Sequence, residues 1–308
     1  MNRSAAPIGV FDSGVGGLSV LRELLRLLPD ERYLYLGDSA RVPYGSKSPE
    51  TVQLFARQCA RFLADQQVKL IVVACNTASA VALEAVQAEV DVPVIGVIGP
   101  AAQAAVRATR SGQIGVIGTR ATVNSGAYSR AIQRLDAAVS VHSQPCPLFV
   151  PVVEEGWTDH LSTRLIAQEY LTALFPPSNG NGSHLPTPID TLVLGCTHYP
   201  LLKPLLHELL PGVELIDCGE HAAHIARQQL LAQNGLAPAR PRNDHRLPAD
   251  VRFYLTDIPP TFVPIAERFL GFQVNLVERV EIDHLCAQEV RLHSSPPGIP
   301  PIRPAAVA

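Results

Sequence analysis

The residues Leu70-Ile-Val-Val-Ala-Cys-Asn-Thr-Ala-Ser79 contain a run of apolar side chains followed at once by small polar ones. The run predicts a buried strand, and Asn-Thr-Ala-Ser is a good start for a helix. The same alternation of short apolar runs and longer helical stretches continues along the chain. It indicates an α/β fold with mostly parallel sheets covered on both faces, which bind ligands beyond the carboxyl ends of their strands.

Ten runs are predicted as strands, at residues 8–11, 33–36, 70–74, 94–98, 113–117, 138–141, 191–194, 213–216, 253–256 and 274–276.

A second copy of the opening pattern lies further along the chain. Leu192-Val-Leu-Gly-Cys196 again ends an apolar run in a cysteine, and Ile114-Gly-Val-Ile-Gly-Thr echoes Ile8-Gly-Val-Phe-Asp-Ser. The stretch from Ile114 to Cys196 is longer than the stretch from Ile8 to Cys75. Most of the difference comes from the segment 176–188, which is rich in Pro, Gly and Asn. The echo predicts two pseudo-symmetric domains, each with one cysteine at a strand end.

The composition is that of a chain with a sizeable core. Of its 308 residues, 47% are hydrophobic and 17% are charged, which excludes a wholly disordered protein. The length suggests about two domains. The net charge of −3 gives no global basic field, so nucleic acid and anionic membranes are not expected partners.

The N-terminus has no apolar core of signal-peptide length, and the longest uncharged stretch, residues 92–106, is too short to span a bilayer. We therefore expect a cytoplasmic protein whose six cysteines stay reduced. None of them forms a CxxC pair, which argues against a structural zinc site or a thioredoxin-type motif. The proline-rich segment 291–308 is predicted to be a disordered tail.

Cys75 is the first candidate for chemistry. A thiol here would face the free N–H groups and the positive dipole end of the following helix, and both stabilise a thiolate. Asn76 and Thr77 can add donors for a carboxylate. An ordinary buried cysteine is the competing interpretation.

Cys196 follows the same logic. Gly195 permits a tight turn, and Pro200 suits the first turn of the next helix. Thr197 and His198 can bind a substrate carboxylate or tune the thiol. A capping or core histidine is the alternative for His198.

Three polar segments add further candidates. The glycine-rich segment 9–17 lacks both the third glycine of a dinucleotide fingerprint and the lysine of a phosphate loop. It fits a small anionic ligand, Asp12 suits an amino group or a general base, and a plain structural turn is the alternative. The loop after the second predicted strand contains Tyr44 and Gly45, which can supply hydroxyl and backbone hydrogen-bond donors. Glu154 is interpreted either as a solvated surface carboxylate or as a residue that lines the site.

Two cysteines from two similar domains suit inversion at a carbon acid. One base must remove the proton, and an acid on the opposite face must deliver another, with the roles exchanged in reverse. One sulfur must therefore be a thiolate while the other is a thiol.

The sequence resembles the glutamate racemases, which are cofactor-independent enzymes that make D-glutamate for peptidoglycan. The matching segments lie at residues 9–20, 35–48, 72–79, 114–128, 150–156 and 194–200. The resemblance implies two α/β domains, one inserted in the other, with the active site at the interdomain cleft. The first domain would comprise residues 1–98 and 212–290, and the second residues 99–211. The sequence departs from the pattern at Cys218, where a serine is expected.

Carried over position by position, the resemblance implies that Cys75 removes the proton from D-glutamate and Cys196 removes it from L-glutamate. Asp12 would assist on the Cys75 side, and Glu154 and His198 on the Cys196 side. The implied substrate-binding set comprises Asp12, Ser13, Tyr44, Gly45, Asn76, Thr77, Thr122, Thr197 and His198. The expected partner is the small substrate, no metal or cofactor is expected, and a homodimer is compatible with the sequence.

Other functions compete with this interpretation. An aspartate racemase, a hydantoin racemase or a maleate isomerase would share the two-cysteine architecture. A pyridoxal-phosphate racemase would need a Schiff-base lysine, and neither Lys47, Lys69 nor Lys203 lies in a recognisable cofactor context. A binding module or a thiol redox protein forms a third class.

Overall fold

A computed structural model describes residues 3–175, 188–239, 250–274, 276–283 and 285. The predicted tail at 291–308, Cys286 and most of the loop segments 176–188 and 237–250 lie outside the described residues.

The strands of the described residues form two sheets. In chain order they are β1 Ile8–Asp12, β2 Tyr33–Gly37, β3 Leu70–Val73, β4 Val94–Gly96, β5 Gln113–Gly118, β6 Ser140–Pro145, β7 Thr191–Gly195, β8 Glu214–Asp217, β9 Val251–Leu255 and β10 Val277–Arg279. The first sheet has the order β10-β9-β2-β1-β3-β4, and the second has the order β6-β5-β7-β8.

Helices follow or connect most strands. In chain order they are α1 Leu18–Leu27, α2 Pro49–Asp65, α3 Asn76–Val81, α4 Leu83–Glu89, α5 Ile98–Ala108, α6 Arg120–Asn124, α7 Ala127–Leu135, α8 Phe149–Glu154, α9 Leu161–Thr172, α10 Lys203–Leu209, α11 Cys218–Ala232 and α12 Phe262–Leu270. No helix in the described part of the chain is long and apolar enough to cross a membrane.

Both sheets are parallel, as the sequence predicts. Every strand pair in the two sheets runs parallel. The central strands β1, β3 and β7 are buried at every residue, which is why they are almost entirely apolar. Parallel pairing brings the carboxyl ends of neighbouring strands to the same edge, so the polar residues after β1 and β3 lie together.

The edge strands differ from the prediction. The structure has β6 at Ser140–Pro145 and β10 at Val277–Arg279, whereas the apolar runs predict strands at 138–141 and 274–276. Both strands lie at sheet edges and are partly exposed, so no continuous apolar run marks their bounds.

The strand β8 belongs to the second sheet, where Leu215 lies opposite Leu192 of β7. The boundary predicted at residue 212 assigns this strand to the first domain. Its buried residues Leu215 and Ile216 instead complete the sheet that carries Cys196.

The two halves meet beside the ends of β1 and β7. The Ser19 hydroxyl of α1 donates to the carbonyl oxygen of Thr197 at 2.7 Å. A Cβ atom at Gly16 would lie 2.2 Å from the Thr197 hydroxyl and 2.5 Å from His198 Nδ1, so only a glycine allows this close approach. The loop after β1 therefore touches the residues that follow Cys196.

Candidate active site

Cys75 lies at the end of β3 as the N-cap residue of α3, and it is 5% exposed. Its Sγ accepts a hydrogen bond from the Ala78 N–H at 3.5 Å and lies 3.8 Å from the Ser13 hydroxyl. Burial, reinforced by the negative charge of Asp12, raises the pKa of Cys75 to about 12. At neutral pH this sulfur is therefore a thiol, although the sequence favours a thiolate from the helix dipole alone. Desolvation outweighs the dipole of this one-and-a-half-turn helix.

Asp12 is buried at the end of β1, with 1% of its surface exposed. Its Oδ2 accepts a hydrogen bond from the Gly14 N–H at 2.9 Å, while its buried Oδ1 has no hydrogen-bond partner among the described residues. Burial raises the pKa of Asp12, and the positive charge of His198 opposes that rise. The unpartnered oxygen is an acceptor held beside the Cys75 side of the site.

Cys196 directly follows β7 and is 6% exposed. Its Sγ lies 3.9 Å from Nδ1 of His198, two residues further along. His198 Nε2 lies 2.8 Å from Glu154 Oε1 at the end of α8. Burial lowers the pKa of His198, but the hydrogen bonds to Cys196 and Glu154 outweigh it and raise this pKa to about 10. The imidazolium is thus the form present at neutral pH, and it places a positive charge beside the Cys196 sulfur.

One cavity of about 260 Å³ contains both cysteines. Ten of the twelve predicted site residues line it: Ser13, Tyr44, Gly45, Cys75, Asn76, Thr77, Glu154, Cys196, Thr197 and His198. The other two, Asp12 and Thr122, lie just behind the lining, where Asp12 binds the backbone of Gly14. The Thr122 hydroxyl lies 3.3 Å from that of Thr77.

Tyr44 lines the cavity with its hydroxyl already engaged. The phenol donates to Asp38 Oδ2 at 2.5 Å, and Asp38 also receives a hydrogen bond from the Arg41 guanidinium. Asp38 is fully buried and accepts from the Thr256 hydroxyl as well. The Tyr44 hydroxyl is therefore engaged by Asp38, and this hydrogen bond holds the loop in place.

Thr119 is a lining residue that the sequence interpretation missed. Its hydroxyl caps α6 by accepting from the Thr122 N–H, and it lies 3.1 Å from the Thr77 hydroxyl. The signal for it is its place directly after β5, and any threonine that caps a helix after a strand shares this pattern. Three clustered hydroxyls from the two halves supply several donors for an anionic ligand.

The cavity carries few fixed cations. Arg120 and His198 are the basic residues among its described lining residues, and none of the three lysines of the chain lines it. Lys69 pairs with Glu31, and Lys203 pairs with Asp217. Among the described residues, no three His, Cys, Asp or Glu side chains form a group that could hold a metal ion.

Comparisons with known proteins agree with this geometry. The family model described as Asp/Glu/Hydantoin racemase matches residues 8–226. A glutamate racemase of Syntrophus aciditrophicus is 50% identical over 277 residues, which cover 90% of this chain and 97% of that protein.

Two solved structures are similar as well. A glutamate racemase from Francisella tularensis in complex with D-glutamate shares 40% identity and a TM-score of 0.80, over 91% of this chain and 99% of that one. A glutamate racemase from Thermus thermophilus in complex with beta-chloro-D-alanine shares 44% identity and a TM-score of 0.77, over the same shares of each chain. The fold has two parallel sheets, and two strand-end cysteines line one cavity. These features and the similarities above agree on one assignment: the chain belongs to the Asp/Glu/Hydantoin racemase family.

Proposed function

We propose that the protein is an isomerase that interconverts L-glutamate and D-glutamate and so supplies D-glutamate for peptidoglycan. One observation carries the proposal: Cys75 and Cys196 line the same cavity, and each has its own ionisable partner. The relatives named above are glutamate racemases, which supports glutamate over aspartate as the substrate.

The proposed reaction is a proton transfer at Cα with no change in any other bond. Cys196, as a thiolate beside the His198 imidazolium, removes the proton from L-glutamate. The thiol of Cys75 then delivers a proton to the opposite face and becomes a thiolate beside Asp12. The reverse reaction starts with Cys75 as the base, so the two sulfurs exchange roles.

The polar residues in the lining and just behind it are proposed to hold the two carboxylates and the amino group of the substrate. Ser13, the backbone N–H groups of Tyr44 and Gly45, and the residues Asn76 and Thr77 supply donors from the first half of the site. Thr122, Thr197 and His198 supply donors from the second half. The unpartnered Oδ1 of Asp12 suits the substrate ammonium group.

A pyridoxal-phosphate mechanism fits the chain poorly. It needs a lysine within reach of the reacting carbon, whereas Lys69 and Lys203 form ion pairs elsewhere and Lys47 does not line the cavity. The reaction we propose needs no group beyond the two thiols and the residues that polarise them.

The domain organisation is also part of the proposal. We propose two α/β domains, the second inserted in the first, with the return to the first domain after β8 rather than at residue 212. A cytoplasmic location and a homodimer stay predictions from the sequence.

The test is solvent isotope incorporation. The purified protein is incubated in deuterium oxide with L-glutamate and no added cofactor, and the product is examined for deuterium at Cα and for its chirality. We expect deuterated D-glutamate, with little turnover of L-aspartate. Inversion without solvent deuterium would contradict the two-base reaction, and comparable turnover of L-aspartate would contradict the substrate.

A further inference from the structure

Tyr128 is a buried tyrosine that lies between the two strand-end cysteines without lining the cavity. It stands in the first turn of α7 and is 2% exposed. A Cβ atom at Gly195 would lie 3.1 Å from Cε2 of this ring, so the glycine before Cys196 makes room for it. The ring therefore passes beneath the end of β7 towards the first half of the molecule.

The Tyr128 hydroxyl contacts Asn76, which follows Cys75. It donates to Asn76 Oδ1 at 2.6 Å. Asn76 lines the cavity, and its buried Nδ2 has no hydrogen-bond partner among the described residues. A buried amide N–H₂ without an acceptor is costly, which indicates that a ligand supplies the acceptor.

Cys218 lies behind Tyr128 and contacts its hydroxyl group. The Cys218 Sγ is 2.9 Å from the Tyr128 oxygen and 3.2 Å from the carbonyl oxygen of Leu194. Burial raises the pKa of Cys218 to about 12 and that of Tyr128 well above its ordinary value, so both groups keep their protons.

The protons of this cluster can be counted. An amide oxygen only accepts, so the one phenolic hydrogen goes to Asn76 Oδ1. The Cys218 thiol has a single hydrogen, which it donates to the carbonyl oxygen of Leu194. If the amide were reversed, its N–H₂ would face the phenol and its oxygen would face the cavity, where it would repel a carboxylate. The hydroxyl therefore decides which end of Asn76 meets the ligand.

We propose that Tyr128 is a positioning residue for carboxylate recognition, because its hydroxyl holds Asn76 with Nδ2 directed at a substrate carboxylate oxygen. The proposal rests on the function proposed above. It adds to the site a residue that contacts no substrate itself.

Replacement of Tyr128 by phenylalanine tests the proposal, since the ring stays and only the hydroxyl is lost. The carboxylate is present in both the substrate and the transition state, so the contact contributes uniform binding. For Tyr128→Phe we expect KM to rise about tenfold for both enantiomers while kcat stays within about twofold. Because the equilibrium constant of racemisation is one, kcat/KM must fall equally in both directions. The informative measurement is therefore whether the lower kcat/KM comes from a higher KM or from a lower kcat.

Two comparisons separate positioning from a structural effect. Tyr33 is also fully buried and donates to backbone carbonyls away from the cavity, so Tyr33→Phe serves as the matched control. Both variants should lose similar thermal stability, but Tyr33→Phe should keep the wild-type KM. In an Asn76→Ala background, Tyr128→Phe should raise KM no further, since the amide that it orients is gone.

Cys218 provides a conservative rescue. Cys218→Ser keeps a polar group in contact with the phenol and should keep KM within about twofold, whereas Cys218→Ala should raise KM by about threefold. An unchanged KM in Tyr128→Phe, or an equal rise in KM with and without Asn76, would overturn the proposal. Wild-type turnover of glutamate is measured first: if it is absent, the proposed function fails, and if it is present, the variants test Tyr128 alone.

Discussion

The Cys75 side and the Cys196 side of the cavity occupy equivalent places at the ends of parallel strands, yet their electrostatics differ. Cys75 has a buried carboxylate, Asp12, as its ionisable neighbour, and its pKa is raised to about 12. Cys196 has a histidine whose own pKa is raised to about 10 by its hydrogen bonds, against the effect of burial. Burial and a negative neighbour keep the proton on Cys75, whereas a positive neighbour lies beside Cys196.

The difference teaches how two identical residues can perform opposite tasks. Stereoinversion needs one acid and one base at the same moment, and equal environments would give two thiols or two thiolates. The carboxyl group of Asp12 and the imidazolium of His198 make the two environments unequal before the substrate arrives.

The largest expected effect comes from removing either sulfur. Cys75→Ser and Cys196→Ser should each lower kcat for racemisation by about a thousandfold or more, because one acid–base group is lost. Each variant should still exchange the Cα hydrogen on the face of its remaining thiol. In deuterium oxide, Cys75→Ser should label L-glutamate and Cys196→Ser should label D-glutamate, both without inversion, as nuclear magnetic resonance would show. Labelling of both enantiomers by one variant would contradict the assignment of one sulfur to each face of the substrate Cα.

The partners of the two sulfurs should separate in isotope effects. His198→Asn and Asp12→Asn should each lower kcat/KM by about a hundredfold. With His198→Asn, the isotope effect for Cα-deuterated L-glutamate should rise and that for Cα-deuterated D-glutamate should fall, because only proton transfer to Cys196 becomes slower. Asp12→Asn should show the reverse. The same pattern in both variants would mean that the two sides are not chemically distinct.

The close approach at Gly16 tests whether the two sides must be held together. In Gly16→Ala the new methyl group would collide with Thr197 and His198. Displacing them should lower kcat/KM by about 10- to 100-fold and reduce stability by about 1–3 kcal/mol. A methyl group at Gly99 in α5 would meet no atom within 4 Å, so Gly99→Ala is the control and should keep full activity. Wild-type kinetics in Gly16→Ala would show that the approach is dispensable.

The smallest expected effect is a shift in the pH profile. Glu154→Gln removes the carboxylate that accepts from His198 Nε2, so the pKa of His198 should fall from about 10 towards its ordinary value. The imidazolium is then lost at lower pH, and the alkaline limb of kcat/KM should move down by about one pH unit. The exposed neighbour Glu155 provides the control variant, Glu155→Gln. An unmoved limb in Glu154→Gln would exclude His198 as the group that titrates.

The central strands and the two cysteines could be predicted because a single physical cause produces both signals. A strand buried on both faces must be apolar, so polar residues after it mark the strand end where parallel sheets bind ligands. Thr119 was missed because a threonine that caps a helix has the same local pattern whether or not it faces a cavity. The pairing of β8 with β7 was not predictable, because an apolar run carries no record of its pairing partner.

The sequence by itself determined the α/β class, the parallel sheets and the positions of Cys75 and Cys196, because periodicity and turn residues are local properties. The tertiary structure alone decided which groups surround each sulfur. Asp12 reaches Cys75 from a neighbouring strand, and Glu154 reaches His198 from α8. Burial and charge at a site are sums over residues distant in the chain, so the opposite electrostatics of the two thiols arise only when the chain is folded.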